Sequence, residues 1–163
     1  MEISDVAPAS PDNAGVAVYP PVYYAVPLAI GLALDRAAPV PGARDSATRG
    51  RAIGVASIVA AIGIIVLAVG AIRNAGSDIS SKRPTTELVE GGVFAVTRNP
   101  MYVALTAAYI GAALLGRSRL ALVLLPVVLA QLDRHEVDRE ELYLERTFGD
   151  RYRAYCALVP RWF

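Results

Sequence analysis

Ala52 to Ile72 is a run of 21 residues without a single charge. A run of that length matches the ~30 Å hydrocarbon core of a bilayer when it is helical. In lipid a lone segment must be helical, because nothing else satisfies its backbone polar groups. One such helix makes the chain an integral membrane protein and ties its other apolar stretches to the same solvent. Small residues at Ala52, Ala56 and Ala60, four apart, give it a face for close helix packing. Composition agrees, since 55% of the 163 residues are hydrophobic, above the usual range for soluble domains.

Three further apolar stretches flank it. Val16 to Leu34 holds 19 uncharged residues, just enough to span. Pro20, Pro21 and Pro27 interrupt it, so the regular helix is expected to start near Val22. Met101 to Gly116 and Leu120 to Leu132 contain 16 and 13 apolar residues, separated by Arg117-Ser118-Arg119. As helices they reach only ~24 and ~20 Å, short of a hydrocarbon core. Either their polar flanks extend them or they form a shallow hairpin, which keeps nearby polar residues close to the lipid surface.

The polar segments divide the rest. Residues 1–15, rich in Pro, Ala, Ser, Asp and Asn, read as a disordered tail. No Lys or Arg precedes Arg36, so the basic start of a signal peptide is missing. Asp35 to Arg51 reads as a polar loop, and Arg73 to Asn99 as a long polar connection. Asp133 to Phe148 is charged but helical in pattern: Val137, Glu141, Leu144 and Phe148 share one face, so Glu141 interrupts an apolar stripe. Glu140 is turned about 100° away from it. Gly149 suits the C′ position. Asp150 is placed to cap a short final helix on which Tyr152, Tyr155 and Val159 align. Pro160 ends that helix, leaving Arg161-Trp162-Phe163 as an interfacial aromatic end.

These readings predict an all-α integral membrane fold. About four transmembrane helices, the last two a short hairpin, precede a cytoplasmic amphipathic C-terminal segment. The domain division is a tail at 1–15, N-terminal membrane helices at 16–72, and a functional core at 73–163. Four spans put the 73–99 loop and the C-terminal segment on one side with ten Lys and Arg, against six on the other. That bias points the loop and tail to the cytoplasm, in the inner membrane of the cell. The net charge of +1 gives no footprint for nucleic acid. One cysteine and one histidine supply no disulfide and no His- or Cys-based metal cluster. Cys156 reads as small core filler and His135 as a surface residue.

Chemistry concentrates in Gly92 to Tyr102. Pro100 is a natural first-turn residue and Asn99 a natural N-cap. Arg98 is thereby held at a helix mouth beside an apolar segment, where the dipole and free N–H groups favour anions. A lipid phosphate is the plainest such anion. Glu140-Glu141, with Tyr152, Tyr155 and Arg161, forms a second polar cluster on the same side of the membrane. No Walker loop, GxGxxG or strand-alternating run accompanies them.

In order, the chain carries Gly91-Gly92, Arg98-Asn99-Pro100-Met101-Tyr102, a short helical pair, Glu140-Glu141-Leu142-Tyr143-Leu144, Phe148-Gly149-Asp150-Arg151-Tyr152-Arg153-Ala154-Tyr155, and Arg161. This order and spacing resemble the isoprenylcysteine carboxyl methyltransferase and phospholipid methyltransferase family, and Lys82 to Val89 is similar to its bacterial members. Many members carry Pro where Val93 follows Gly92, and some carry His at the position of Asn99. The N-terminal third is similar only as hydrophobic spans.

The resemblance implies S-adenosylmethionine as cofactor, held by Leu88, Gly92, Arg98, Asn99, Pro100, Tyr102, Glu140, Glu141, Tyr152, Tyr155 and Arg161. Arg98, Asn99 and Glu141 are the implied catalytic positions, and the acceptor is a lipophilic molecule drawn from the bilayer. The side chains suit that cofactor. Arg98 can pair with a carboxylate, the glutamates can accept from an ammonium or ribose hydroxyls, and the tyrosines can face a sulfonium. No strong general base stands out, which suits a carboxylate or thiolate acceptor. Two other readings stay open. An NADPH-dependent membrane reductase related to sterol reductases is separated by its cofactor. A non-catalytic adaptor is separated by tolerance of changes at Arg98 and Glu141.

Overall fold

A computed structural model describes residues 19–38, 47–76 and 87–162. The tail at 1–15, the middle of the Asp35–Arg51 loop and most of the Lys82–Val89 stretch fall outside them. The described residues form six α-helices and no strand. These are α1 Pro20–Ala37, α2 Ala47–Asn74, α3 Pro100–Leu115, α4 Arg119–Leu132, α5 Asp138–Phe148 and α6 Asp150–Leu158.

α1 starts two residues before the expected Val22, because Pro20 and Pro21 occupy the first turn, where a missing N–H costs nothing. α2 is the longest helix at 28 residues. The mean hydropathy of its most apolar window is 2.8, and only 17% of that window is buried by the rest of the protein. A core helix of a soluble protein would be covered. Here Val55, Val59, Ile62, Val66 and Leu67 lie open, as lipid contact requires. α3 is a shorter apolar helix of 16 residues.

The packing face of α2 differs from the expected one. Ala52, Ala56 and Ala60 are exposed, whereas Gly54, Ala61 and Ala68 are buried. Those three are seven apart and share a face of the helix. Their small side chains let α3 approach closely: a Cβ built on Gly111 of α3 would stand 2.8 Å from the Gly54 carbonyl oxygen and from Ile58. Gly111→Ala is therefore expected to cost about 1 kcal/mol through overpacking against backbone. Thermal unfolding in detergent, with Gly63→Ala as the control in open space, checks this.

α3 and α4 reverse at Gly116–Ser118 but pack chiefly on other partners, α3 on α2 and α4 on α1. The α1–α4 crossing is close at Gly31, where a Cβ would meet the Ala121 backbone at 2.6 Å. Asp35, expected in a loop, belongs to the last turn of α1. Its Oδ2 accepts from the Ser118 hydroxyl (2.6 Å) and the Leu120 N–H (2.9 Å). Ser118 in turn caps α4 by accepting from the Ala121 N–H at 3.0 Å. An acid at one helix end thus satisfies the open N–H groups of another.

α4 does not end before the charged segment. It passes through a π-turn, Asp133–Val137, directly into α5. Gly149, with φ +55°, breaks the rod and donates its N–H to the Glu145 carbonyl (2.8 Å). Asp150 is the first residue of α6, not a cap; its carboxylate holds Arg153 at 2.6 Å. The core has two parts. Tyr24, Tyr102, Tyr109, Leu132 and Val137 form one, with Trp162 packed against it, so Trp162 turns inward and not to an interface. Leu88, Tyr152, Tyr155 and Val159 form the other.

Candidate active site

The cavity lies where these two cores meet. Its volume is about 430 Å³, within the range of small-molecule sites. Part of its lining is apolar: Pro20 and Pro21 of α1, Ile65 and Ile72 of α2, Met101 and Leu105 of α3. The rest is largely polar, with Arg98, Asn99, Tyr102, Glu140, Glu141, Tyr152 and Tyr155. Leu88 and Pro100 also line it. Every residue expected from sequence is therefore on the wall, except Gly92 and Arg161.

Gly92 acts through its backbone. Its φ is +63°, and it opens a 3₁₀ turn, Gly92–Ala95, that brings Phe94 to the cavity. A side chain at this φ would be strained. The Phe94 carbonyl accepts from the Tyr155 hydroxyl at 2.6 Å, which ties the turn to α6.

Arg161 stands behind the wall. Its guanidinium takes Glu141 in a two-point grip, Nε to Oε1 at 3.1 Å and Nη2 to Oε2 at 2.6 Å. It also reaches Asp133 and Asp138, both at 3.1 Å. Arg98 Nη1 contacts the same Glu141 at 3.1 Å. Glu141 is thus held between two arginines, one facing the cavity and one facing away. The charge-assisted bond with Glu141 raises the Arg161 pKa above its ordinary value. Burial works most strongly against the Arg98 charge, but Glu141, Cys156 and Tyr152 together more than offset it, so the Arg98 pKa is also raised.

The segment 97–99 is fixed by backbone and side-chain bonds to Pro160 and Arg161. The Arg98 N–H donates to the Pro160 carbonyl (3.0 Å). The Thr97 hydroxyl (2.9 Å) and Asn99 Nδ2 (3.1 Å) both donate to the Arg161 carbonyl. Asn99 does occupy the N-cap position of α3, but its side chain makes no capping bond. Its amide instead donates through Nδ2 to the Arg161 carbonyl.

Glu140 is on the wall too, although turned about 100° from Glu141 around the helix. It lines the cavity with Glu141, and its Oε2 accepts from the Tyr102 hydroxyl at 3.0 Å. The 100° between the two glutamates does not send one to solvent, because α5 has partners on both flanks: α3 on the Glu140 side, the arginines on the Glu141 side. Cys156 does more than fill space. Arg98 Nη1 donates to its Sγ at 2.7 Å. His135 is exposed. Burial pushes the Tyr155 hydroxyl up to about 12 despite the opposing effect of Arg98, so it stays a neutral donor at physiological pH. Sequence reasoning missed the apolar wall and Phe94, whose positions depend on helices distant in sequence.

A family model described as phospholipid methyltransferase matches residues 50–151. The chain belongs to the phospholipid methyltransferase family. The matched range contains Arg98, Asn99, Tyr102, Glu140 and Glu141, while Tyr152, Tyr155 and Arg161 lie just beyond it. No curated protein and no solved structure gives a significant match to the chain.

Methyltransferases of this family generally use S-adenosylmethionine. Its carboxylate needs donors, its ammonium needs acceptors, and its sulfonium is cationic. The polar lining fits these demands. Arg98 Nε is a buried donor without a hydrogen-bond partner, a rare condition that a carboxylate would relieve. The Tyr152 hydroxyl lies beside Cys156 and Arg98, where it can donate to the same group. Tyr152 and Tyr155 present neighbouring rings, with centroids 6.2 Å apart, that suit a cation or a base.

Proposed function

We propose that the chain is a multi-pass inner-membrane methyltransferase that transfers the methyl group of S-adenosylmethionine to a lipophilic acceptor bearing a carboxylate, thiol or amine. The observation that carries this reading is one cavity with two kinds of lining. Its polar lining includes Arg98, whose buried Nε has no hydrogen-bond partner; its apolar lining comes from α1, α2 and α3, the helices that would meet lipid tails.

The bound cofactor supplies an activated methyl group on a sulfonium. Arg98 would hold its carboxylate, with Tyr152 donating beside it. Glu141, locked by Arg161, keeps the Arg98 fork aligned. The apolar lining admits the acceptor tail and excludes water. Methyl transfer is an in-line displacement, so holding nucleophile and methyl carbon in register supplies much of the acceleration. The four-span topology, with the C-terminal segment in the cytoplasm, gives the cavity access to soluble cofactor. The exposed apolar faces of α1 and α2 and the excess of basic residues on that side support it.

Purified protein in detergent is expected to bind S-adenosylhomocysteine with measurable heat. With methyl-labelled S-adenosylmethionine and a total lipid extract, it is expected to label a lipid-soluble product. NADPH binding with a flat S-adenosylhomocysteine titration would replace this reading by the reductase. A folded protein that binds neither would leave the adaptor.

A further inference from the structure

A second cavity lies at the other end of α2 from the candidate active site. It is an open cleft of about 740 Å³, walled by Thr48, Arg51, Ala52 and Val55 of α2 and by Arg117 of the turn between α3 and α4. From Arg51 to Ile72, which lines the active-site cavity, the helix rises ~31 Å, about the thickness of a hydrocarbon core. With α2 across the bilayer, the cleft falls in the headgroup layer opposite to that of the active site. Among the described residues its wall carries two guanidinium groups, one hydroxyl and no carboxylate. Asp35, which approaches the same turn, gives its Oδ2 to the Ser118 hydroxyl and the Leu120 N–H. Two like charges on one cleft repel, and an anion between them turns that repulsion into attraction.

The backbone under Arg117 is unusual. Its φ is +56°, and it closes α3: its N–H donates to the Leu114 carbonyl at 3.1 Å, and the Ser118 N–H donates to the Ala113 carbonyl at 2.8 Å. Helix ends of this kind favour glycine at the left-handed position, yet the glycine stands one residue earlier, at Gly116. An arginine here carries a conformational cost, which its charge at the cleft can offset once an anion is bound. Away from the arginines the wall turns apolar. Val55 is continued along α2 by Val59, Ile62 and Val66, all exposed. Steps of four, three and four residues put them in one stripe, on the face that also carries Thr48 and Arg51. We propose that this cleft binds the phosphate of an anionic phospholipid. Arg51 and Arg117 clamp the headgroup from two elements, Thr48 donates its hydroxyl, and an acyl chain lies along the stripe from Val55 to Val66. Guanidinium forks suit phosphate oxygens because they pair with them at two points. The bound lipid staples α2 to the α3–α4 turn. This site does not depend on which reaction runs at the other end of α2.

Thermal unfolding of the full-length protein in a neutral detergent tests the site, with short-chain phosphatidylglycerol, short-chain phosphatidylcholine or inorganic phosphate added. Phosphatidylglycerol is expected to raise the melting temperature at concentrations where the other two have little effect. Arg51→Gln and Arg117→Asn should each require about tenfold more phosphatidylglycerol for the same rise, the size of one lost charge-assisted contact. Asn tolerates the left-handed backbone at position 117, so the turn is kept. Arg51→Lys keeps the charge and loses the planar fork; it should shift the response by a smaller factor, and it repeats the test if the neutral variants fail to fold. Arg49→Gln, exposed near the same end of α2 but off the cleft, should respond as wild type does. Native mass spectrometry of protein extracted from membranes should find anionic phospholipid retained on wild type and on Arg49→Gln, and lost from the Arg51→Gln, Arg117→Asn double variant. An equal response to inorganic phosphate would make this a free-anion site and overturn the lipid assignment. An equal response to phosphatidylcholine would reduce it to general lipid contact, and an equal loss in Arg49→Gln to a diffuse basic surface; either overturns the proposal. So does a melting temperature that phosphatidylglycerol leaves unchanged.

Discussion

Arg98→Ala is expected to weaken S-adenosylhomocysteine binding about a hundredfold, roughly 2.7 kcal/mol, with a much smaller loss of protein stability. A charge-assisted bond to a carboxylate contributes about 1.5–3 kcal/mol, and Arg98 can offer more than one because its Nε is free. Stability is spared because Glu141 keeps the two-point grip of Arg161, so no carboxylate is stranded. Arg98→Lys keeps the charge but loses the planar fork; an affinity about tenfold below wild type is expected. Calorimetric titration and melting curves on the same samples separate the two effects. Unchanged affinity in folded Arg98→Ala protein would falsify the assignment of Arg98 to the cofactor.

Glu141→Gln should show the opposite balance. With Arg98 and Arg161 both on this carboxylate, removing its charge leaves Arg98 half-buried with only Cys156 as a side-chain partner. Breaking a buried pair from one side costs about 3–5 kcal/mol and an exposed pair under about 1. The Glu141 side chain is 19% exposed, which puts the expected loss at about 2–3 kcal/mol. Arg161 limits the damage through Asp133 and Asp138. From sequence alone, an inward glutamate waiting for a ligand would lose little stability on neutralisation or gain some, and one already paired with Arg98 would lose it; two arginines in contact favour the second outcome. Cofactor affinity should also fall, because Arg98 loses the group that aligns it. A melting temperature equal to wild type would show that the clamp carries no net stability.

What the sequence disclosed depended on how local the signal was. α2 was plain because 21 uncharged residues have few other fates. Its packing face was not, because alanine is so common that a four-residue spacing appears without meaning. The buried Gly54, Ala61 and Ala68 follow the seven-residue repeat set by α3, which no local pattern reports. The wall residues from Arg98 to Tyr155 were legible through order and spacing. The role of Arg161 was legible only as presence: its carbonyl, not just its guanidinium, organises Thr97 and Asn99. The full burial of Glu136 was hidden because the π-turn that carries it upsets any count of 3.6 residues per turn.

The unbroken passage from α4 through the π-turn into α5 has a mechanical consequence. A flexible loop between a membrane helix and a cytoplasmic site lets each move without the other. Here one stiff lever carries α4, seated beside α1, and both carboxylates, seated against the cavity. Its 30 residues from Arg119 to Phe148 measure ~45 Å at the α-helical rise. Any change in the depth or tilt of α4 displaces Glu140 and Glu141 by a comparable amount, with Gly149 as the first joint beyond them. In the four-span topology proposed above, the thickness of the surrounding lipid layer would bear directly on the registry between arginine fork and carboxylates.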